Sequence, residues 1–209
     1  MMPALSALES DALTELVNVA VSKAAVTLGR MIDSEVSLTV PKVTVVGRDH
    51  VAAAIAIPGT DRLVAVGEAF NGPFSGSAVL IFPVANSLEL VRAILPHVDD
   101  LEEIIEMEQE ALGEIGNIIL NSCLSTVANM LDHKINTSLP RIYYGEAVDI
   151  VSLSEGKDAE AGPVMIFHVD FVVKERGLQG FIMIIMSVSS FLAFRDSIVK
   201  LVKSYSETG

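Results

Sequence analysis

The chain has 209 residues and a formal net charge of −13, because 27 Asp and Glu residues outnumber 14 Lys and Arg residues. This charge argues against nucleic acid as a partner, since phosphates are bound by clustered basic residues. It also disfavours binding to an anionic membrane surface. A single cysteine, Cys123, excludes an internal disulfide framework and fits a reducing cytoplasm.

About half of the residues are apolar (51%), yet no apolar run approaches the length of a membrane span. The first residues have no basic flank ahead of an apolar core, so no signal peptide is expected. We therefore expect a cytoplasmic protein without membrane insertion.

The first half of the chain predicts a helix, a strand, a short helix, a hairpin and a further helix. Residues 8–32 have apolar side chains at helical spacing, and Ser6 or Ser10 is the expected N-cap. The "NGPFSG" segment joins two alternating runs and indicates a hairpin. The remaining predicted elements are a strand at 35–47 that is interrupted at Pro41, a short helix at 48–56 and a helix at 85–95 that ends before Pro96.

The second half repeats this order. A long helix is predicted at about 101–132, and an extended run at 134–145 is interrupted at Pro140. A short element, a hairpin around "ERG" and a closing helix follow, and we expect a frayed tail at 204–209. The predicted repeats are about 8–98 and 101–203, in one domain that spans residues 1–209.

Three residue types recur at one fixed offset in the two halves. Glu15 is followed three positions later by Asn18, and Pro41 lies 23 positions after Asn18; Glu114, Asn117 and Pro140 repeat this spacing 99 positions further on. An acidic residue precedes each glutamate by four positions, Asp11 in the first half and Glu110 in the second. The shared offset indicates an internal duplication.

A half of about 100 residues would leave sheet edges and apolar surface exposed. We therefore expect an α+β fold in which two αβ repeats, related by a pseudo-twofold axis, share one central antiparallel sheet with helices packed on it. Cys123 is expected to be a small buried residue on a helix.

The acidic residue, the glutamate and the asparagine of each repeat share one helix stripe, because positions i, i+4 and i+7 lie on the same face. A solvent-exposed polar face is the plain interpretation of such a stripe. Neither glutamate, however, has a basic residue at i+4 in its own helix, since Val19 and Ile118 occupy those positions. The carboxylates are thus available to a partner. The four histidines have no spacing typical of a metal or nucleophile site, and no metal site is expected.

The twice-repeated pattern acid-x3-Glu-x2-Asn-x22-Pro resembles the CheC phosphatases of bacterial chemotaxis, which belong with CheX and the flagellar switch proteins FliY and FliM. The segment "EIGNIILNSCLSTVANML" is very similar to the second signature helix of that family. Glu110 departs from the family pattern, in which Asp or Ser is usual at that position. The resemblance covers nearly the whole chain.

The resemblance implies two exposed motif helices and hydrolysis of the aspartyl phosphate on the response regulator CheY. Asn18 and Asn117 would each position a water in line with phosphorus, and Glu15 and Glu114 would pair with a lysine of the regulator. The supporting positions, which would shape each site, are Asp11, Pro41, Glu110 and Pro140.

The resemblance also implies that the chain has no cofactor of its own, because Mg²⁺ would be held by the regulator. CheD is a possible further partner. Two alternatives remain open: a non-catalytic module that binds a response regulator or CheD, and a purely structural piece of the flagellar switch. The second is disfavoured by the absence of an additional switch domain.

Overall fold

A computed structural model describes residues 5–60, 62–94, 101–154, 162–173 and 176–207. The helices are α1 (Ala7–Met31), α2 (Arg48–Ala54), α3 (Val84–Ile94), α4 (Leu101–Met130), α5 (Ala147–Ser154) and α6 (Val188–Glu207). The strands are β1 (Val36–Val46), β2 (Leu63–Asn71), β3 (Gly76–Pro83), β4 (Asn136–Thr137), β5 (Arg141–Gly145), β6 (Val164–Val173) and β7 (Arg176–Met186). The chain order of elements matches the order predicted from the sequence.

All seven strands form one antiparallel sheet in the order β1-β6-β7-β3-β2-β4, with β5 also paired to β2. The predicted α+β fold with a single antiparallel sheet is confirmed. The halves meet at the centre, where β3 pairs with β7. The outer strands are exchanged, since β1 pairs with β6 of the second half whereas β4 and β5 pair with β2 of the first. Each half therefore completes the sheet of the other.

Apolar side chains on both sheet faces make two cores of different size. The larger core lies under α1, α3, α4 and α6, and the smaller one lies under α2 and α5. Cys123 is buried in the larger core, as predicted. Burial raises the pKa of its thiol to about 12, so the thiol stays protonated at neutral pH.

Helix α1 and the Met107–Met130 part of α4 are long and apolar enough to cross a membrane by length and composition alone. About half of each window is buried inside the fold, at 44% and 50% respectively. Their apolar faces pack in the larger core. Helices that build the core of a globular protein have the same composition, so these two do not indicate insertion.

The two long helices end in the same way. Asp33 and Asp132, which are also separated by the repeat offset of 99, adopt left-handed φ values of 47° and 56°. Aspartate tolerates this conformation better than most residues, and a residue of this kind commonly terminates a helix. The offset found between the motifs therefore extends to the helix ends.

Two details differ from the sequence predictions, and two predictions cannot be compared. Strand β1 continues through Pro41 with a register shift between Thr39 and Lys42, so it is bulged and not interrupted. The tail predicted to fray is helical as far as Glu207, because α6 continues through it. The predicted helix end before Pro96 and the "ERG" turn at 175–177 fall at least partly outside the described residues.

Candidate functional site

Helix α1 begins at a capping box that fixes the first motif helix. The Ser6 hydroxyl accepts a hydrogen bond from the Glu9 amide, and the Glu9 carboxylate accepts one from the Ser6 amide at 2.6 Å. Glu9 is also paired with Arg195 of α6 at 3.0 Å. Of the two N-caps considered from the sequence, Ser6 is therefore the one used, and α1 is tied to α6.

The polar stripe of α1 faces solvent for most of its length. Asp11 and Glu15 are exposed, Asn18 is half-buried, and Ser22 is exposed. No ion pair involves Glu15 among the described residues. The carboxylate is therefore open to a basic group from outside.

The carboxamide of Asn18 is hydrogen-bonded at both ends to the main chain of Val40. Its Nδ2 donates to the Val40 carbonyl at 3.1 Å and also to the Thr14 carbonyl, while its Oδ1 accepts from the Val40 amide at 2.8 Å. Val40 lies in the bulge where β1 leaves its register with β6, so the side chain replaces the missing strand partner. This contact gives the Asn-x22-Pro spacing a structural meaning, because Val40 immediately precedes Pro41.

The corresponding asparagine of α4 has a different partner. Asn117 is half-buried, and its Oδ1 accepts a hydrogen bond from Asn121 Nδ2 at 2.5 Å. The Oδ1 of Asn121 in turn accepts from the Thr137 hydroxyl at 2.6 Å. Within the described part of the chain, the NH2 group of Asn117 has no hydrogen-bond partner. One donor of this site is therefore available.

The two halves also differ in the residue before each proline. Val40 is 1% exposed, whereas Leu139, its counterpart at the repeat offset, is 85% exposed. The difference arises because the second half is interrupted between β4 and β5, where Ser138 still bonds to Ala69 and Leu139 is turned outward. Pro41 is exposed and Pro140 half-buried.

Helices α1 and α4 lie side by side, and an open groove of about 720 Å³ runs along α1 beside them. Its polar lining includes Glu15, Asn18, Ser22 and Lys23 of α1 and Ser122 of α4. Glu110 and Glu114 are exposed on α4, and Glu114 has no ion pair among the described residues. The motif glutamates Glu15 and Glu114 thus lie on surfaces that a partner could reach.

Several residues of these surfaces were not predicted from the sequence. Thr137 and Leu139 complete the second site, and Val40 anchors Asn18. An exposed cation, Lys42 or Arg141, directly follows each proline. The Pro-Lys and Pro-Arg pairs share the offset of 99, and this was the signal that could have identified them.

Within the described ranges, no group of three or more His, Cys, Asp or Glu side chains could hold a metal ion. The arrangement can offer carboxylates, carboxamides and an exposed apolar side chain to another molecule. Such groups are suited to binding and orienting, since they contain no activated nucleophile. The fold and the duplicated Glu-x-x-Asn motif define a pseudo-symmetric αβ-repeat protein in which two long helices carry solvent-exposed glutamates.

Comparison with known proteins identifies related sequences. Residues 64–160 match the family described as "Chemotaxis phosphatase CheX". The chain is 25% identical over 172 residues to the flagellar motor switch phosphatase FliY of Bacillus subtilis. This alignment covers 81% of this chain and 43% of FliY. It is 25% identical over 138 residues to the CheY-P phosphatase CheC of Bacillus subtilis, covering 64% of this chain and 65% of CheC. The chain thus aligns with less than two thirds of the length of either relative.

Solved structures share the fold. The crystal structure of Thermotoga maritima FliY superposes with a TM-score of 0.75 at 20% identity, covering 95% of this chain and all of that one. CheX in the CheX-CheY-BeF3-Mg complex of Borrelia burgdorferi superposes with a TM-score of 0.50 at 17% identity, covering 83% of this chain and 96% of that one. Together these findings show that the chain is similar in sequence to CheX, FliY and CheC proteins and shares the fold of FliY and CheX.

Proposed function

We propose that the chain hydrolyses the aspartyl phosphate of a CheY-like response regulator. Two of its relatives are named as phosphatases, and one structural neighbour was determined together with CheY. In the proposed reaction an asparagine orients the attacking water, and Glu15 or Glu114 pairs with a lysine of the regulator. Asp11, Glu110, Pro41 and Pro140 shape the two sites.

The observation that carries this proposal is the free amide of Asn117 beside the exposed Glu114. A neutral carboxamide supplies both a donor and an acceptor, so it can hold a water next to an anionic phosphoryl group. A carboxylate in the same place would repel the phosphoryl group. Phosphoryl transfer requires positioning and charge stabilisation with little covalent work from the protein, and that is what these side chains can supply.

We infer further that the second site is the more active one. Asn18 must break its hydrogen bonds to Val40 before it can enter a partner's active site, whereas the Asn117 amide needs no such exchange. Leu139 adds an exposed apolar anchor beside the second site only. The Glu110 departure from the family pattern argues for the first site, but Glu110 is exposed and lies nearly two helical turns from Asn117.

The proposed reaction uses Mg²⁺ bound by the regulator, and the chain itself supplies no cofactor. A cytoplasmic location follows from this substrate class. CheD stays a predicted partner with no assigned surface.

The test is a dephosphorylation assay with a regulator phosphorylated by a small-molecule donor. We expect Asn117→Ala to slow the stimulated decay by about 100-fold if the second site acts alone, since misplacing a reacting group costs about that much. The expected order of residual activity is wild type, Asn18→Ala, Asn117→Ala and then the double variant. Asn129→Ala is the matched control, because Asn129 is an exposed asparagine on the same helix.

Unchanged decay with the double variant would reject the phosphatase. Binding of a beryllofluoride-activated regulator without accelerated decay would favour the non-catalytic module. Equal losses in the two single variants would contradict the proposed difference between the sites.

A further inference from the structure

A buried carboxyl group lies in the larger core close to the second site. Glu68, on β2, is 2% exposed, and both of its carboxyl oxygens have no hydrogen-bond partner among the described residues. A buried polar group without a partner is costly and calls for an explanation beyond packing.

The strand register places Glu68 under α4. Val66 and Phe70 belong to the larger core, and alternation along the strand puts Glu68 on the same face. A Cβ on Gly116 would come within 2.6 Å of Val66 Cβ, so α4 crosses β2 there. Further along, Asn121 bonds to Thr137, which pairs with Phe70. Glu68 therefore lies between the two contact points, on the strand face that the Gly116–Asn121 turn of α4 covers.

The strand neighbour of Glu68 is missing on one side. β5 pairs with β2 up to Gly67, and β4 resumes at Phe70, so Glu68 lies opposite the unpaired step between the outward-turned Leu139 and the half-buried Pro140. On the other side it faces Ala78 of β3. Neither neighbour offers the carboxyl group a polar side chain.

The other half of the molecule shows what the fold requires at this position. Lys42 and Arg141, which correspond by the repeat offset, pair with His168 and Gly67 respectively. The counterpart of Glu68 is therefore Val169, which is buried at 3% exposure under the first site. Since valine serves there, packing does not explain the carboxyl group under the second site.

Among the described residues, no charged side chain is hydrogen-bonded to this carboxyl group. On the same sheet face as Glu68, the Cys123 thiol of α4 is protonated, and Tyr144 pairs with the more distant Val64. Three further ionisable side chains on this face are exposed to solvent: Glu114 of α4, and Glu89 and Arg92 of α3. Glu108 of α4 bonds to Ser87. Arg141, Tyr143 and Asp149 lie on the opposite face, and β3 and β4 contain no ionisable residue.

Burial raises the pKa of Glu68 to about 7. Its charge state therefore changes near neutrality, and the neutral form is the one that suits an apolar surrounding. Helix α4 crosses β2 at Gly116, and Asn117 is the next residue along the helix. Its side-chain amide is the unpartnered hydrogen-bond donor that lies closest in sequence to this crossing.

We propose that Glu68 is a positioning residue for Asn117. The ionised carboxylate of Glu68 draws the Asn117 side-chain amide inward, and the neutral carboxyl group leaves that amide free for a partner. The consequence for catalysis rests on the proposed phosphatase function, but the coupling between the two side chains does not. Activity at the second site then falls as the pH rises through neutrality.

The test is a pH titration of the side-chain amide resonances of Asn117 by NMR between pH 5.5 and 8.5, on the free chain. The Asn117 signal, assigned by its loss in Asn117→Ala, should titrate in wild type and stay flat in Glu68→Gln and Glu68→Val. The Asn18 amide, which has Val169 beneath it, is the internal control and should not titrate. The amide spectrum of each variant shows directly whether it is folded.

Persistence of the titration in folded Glu68→Gln, or a flat Asn117 signal in wild type, overturns the proposal. In the phosphatase assay, Glu68→Gln should remove a decline in stimulated rate of about tenfold between pH 6 and pH 8. The same substitution should have no effect in an Asn117→Ala background, as expected for two coupled residues. A titrating amide in a chain without phosphatase activity would refute the proposed function and leave this inference standing.

Discussion

Replacing Asn18 by alanine removes the two hydrogen bonds that join α1 to the bulge of β1, and a third one to Thr14 within α1. The substitution leaves the amide and the carbonyl of Val40 without partners, and Val40 is almost fully buried. Asn117 makes no comparable contact with the main chain, because its described hydrogen bond is to Asn121. The two substitutions are chemically identical, so any difference in stability reports the different surroundings.

An unsatisfied buried backbone group costs about 1–3 kcal/mol. Two such groups, in a half-buried position where water can replace part of the loss, give an expected destabilisation of about 2–4 kcal/mol for Asn18→Ala. A change of 1 kcal/mol moves the melting temperature of a domain of this size by about 2–4 °C. The expected decrease is therefore about 5–15 °C, against a few degrees at most for Asn117→Ala.

The measurement is thermal unfolding followed by circular dichroism, with Asn129→Ala as a surface control. Equal melting temperatures for Asn18→Ala and Asn117→Ala would refute the structural role assigned to the Val40 contact. The result also bears on the phosphatase assay, which has to be run below the transition of the less stable variant.

Three further predictions concern docking, packing and pH. Leu139→Ser should weaken regulator binding by about 10- to 100-fold without changing the melting temperature, because burial of a leucine contributes about 1.5–3 kcal/mol. Binding is measured by calorimetric titration, and Val148→Ser, at an exposed valine on α5, is the control. Equal affinities of the two variants would count against Leu139 as an anchor. Gly116→Ala should destabilise the fold by about 1–3 kcal/mol in urea titrations, since its Cβ would overlap Val66. Gly113→Ala on the same helix meets nothing closer than 3.8 Å and should be neutral or stabilising, so similar effects of the two substitutions would contradict the close helix–strand approach. Burial alone would raise the pKa of Glu9, but hydrogen bonds from Ser6 and Arg195 outweigh it and hold the pKa below its usual 4.5. The stabilisation by this pair is therefore present above about pH 4.5 and lost as the pH falls through the folded-state pKa. Arg195→Ala should lower the free energy of unfolding, measured by urea titration, by about 1–2 kcal/mol at pH 7 and by less at pH 3. A loss that does not depend on pH would show that the ion pair is not its cause.

The sequence by itself determined the order of elements and the duplicated motif. Apolar spacing located α1 and α4, alternation located the β2–β3 hairpin, and the offset of 99 related Glu15 and Asn18 to Glu114 and Asn117. These features could be predicted because helix and strand periodicity, and a repeat register, are properties of neighbouring residues along the chain.

Only the tertiary structure decided how the two copies differ. The Asn-x22-Pro spacing is the same in both halves, yet Asn18 bonds to Val40 while Leu139 is turned outward and Asn117 bonds to Asn121. Strand exchange across the sheet, and the crossing of α4 over β2 that places Glu68 near the second site, join residues far apart in the chain. Such contacts depend on long-range packing and strand pairing. Local periodicity does not specify in which copy the motif asparagine bonds to the residue before the proline and in which copy that residue is exposed.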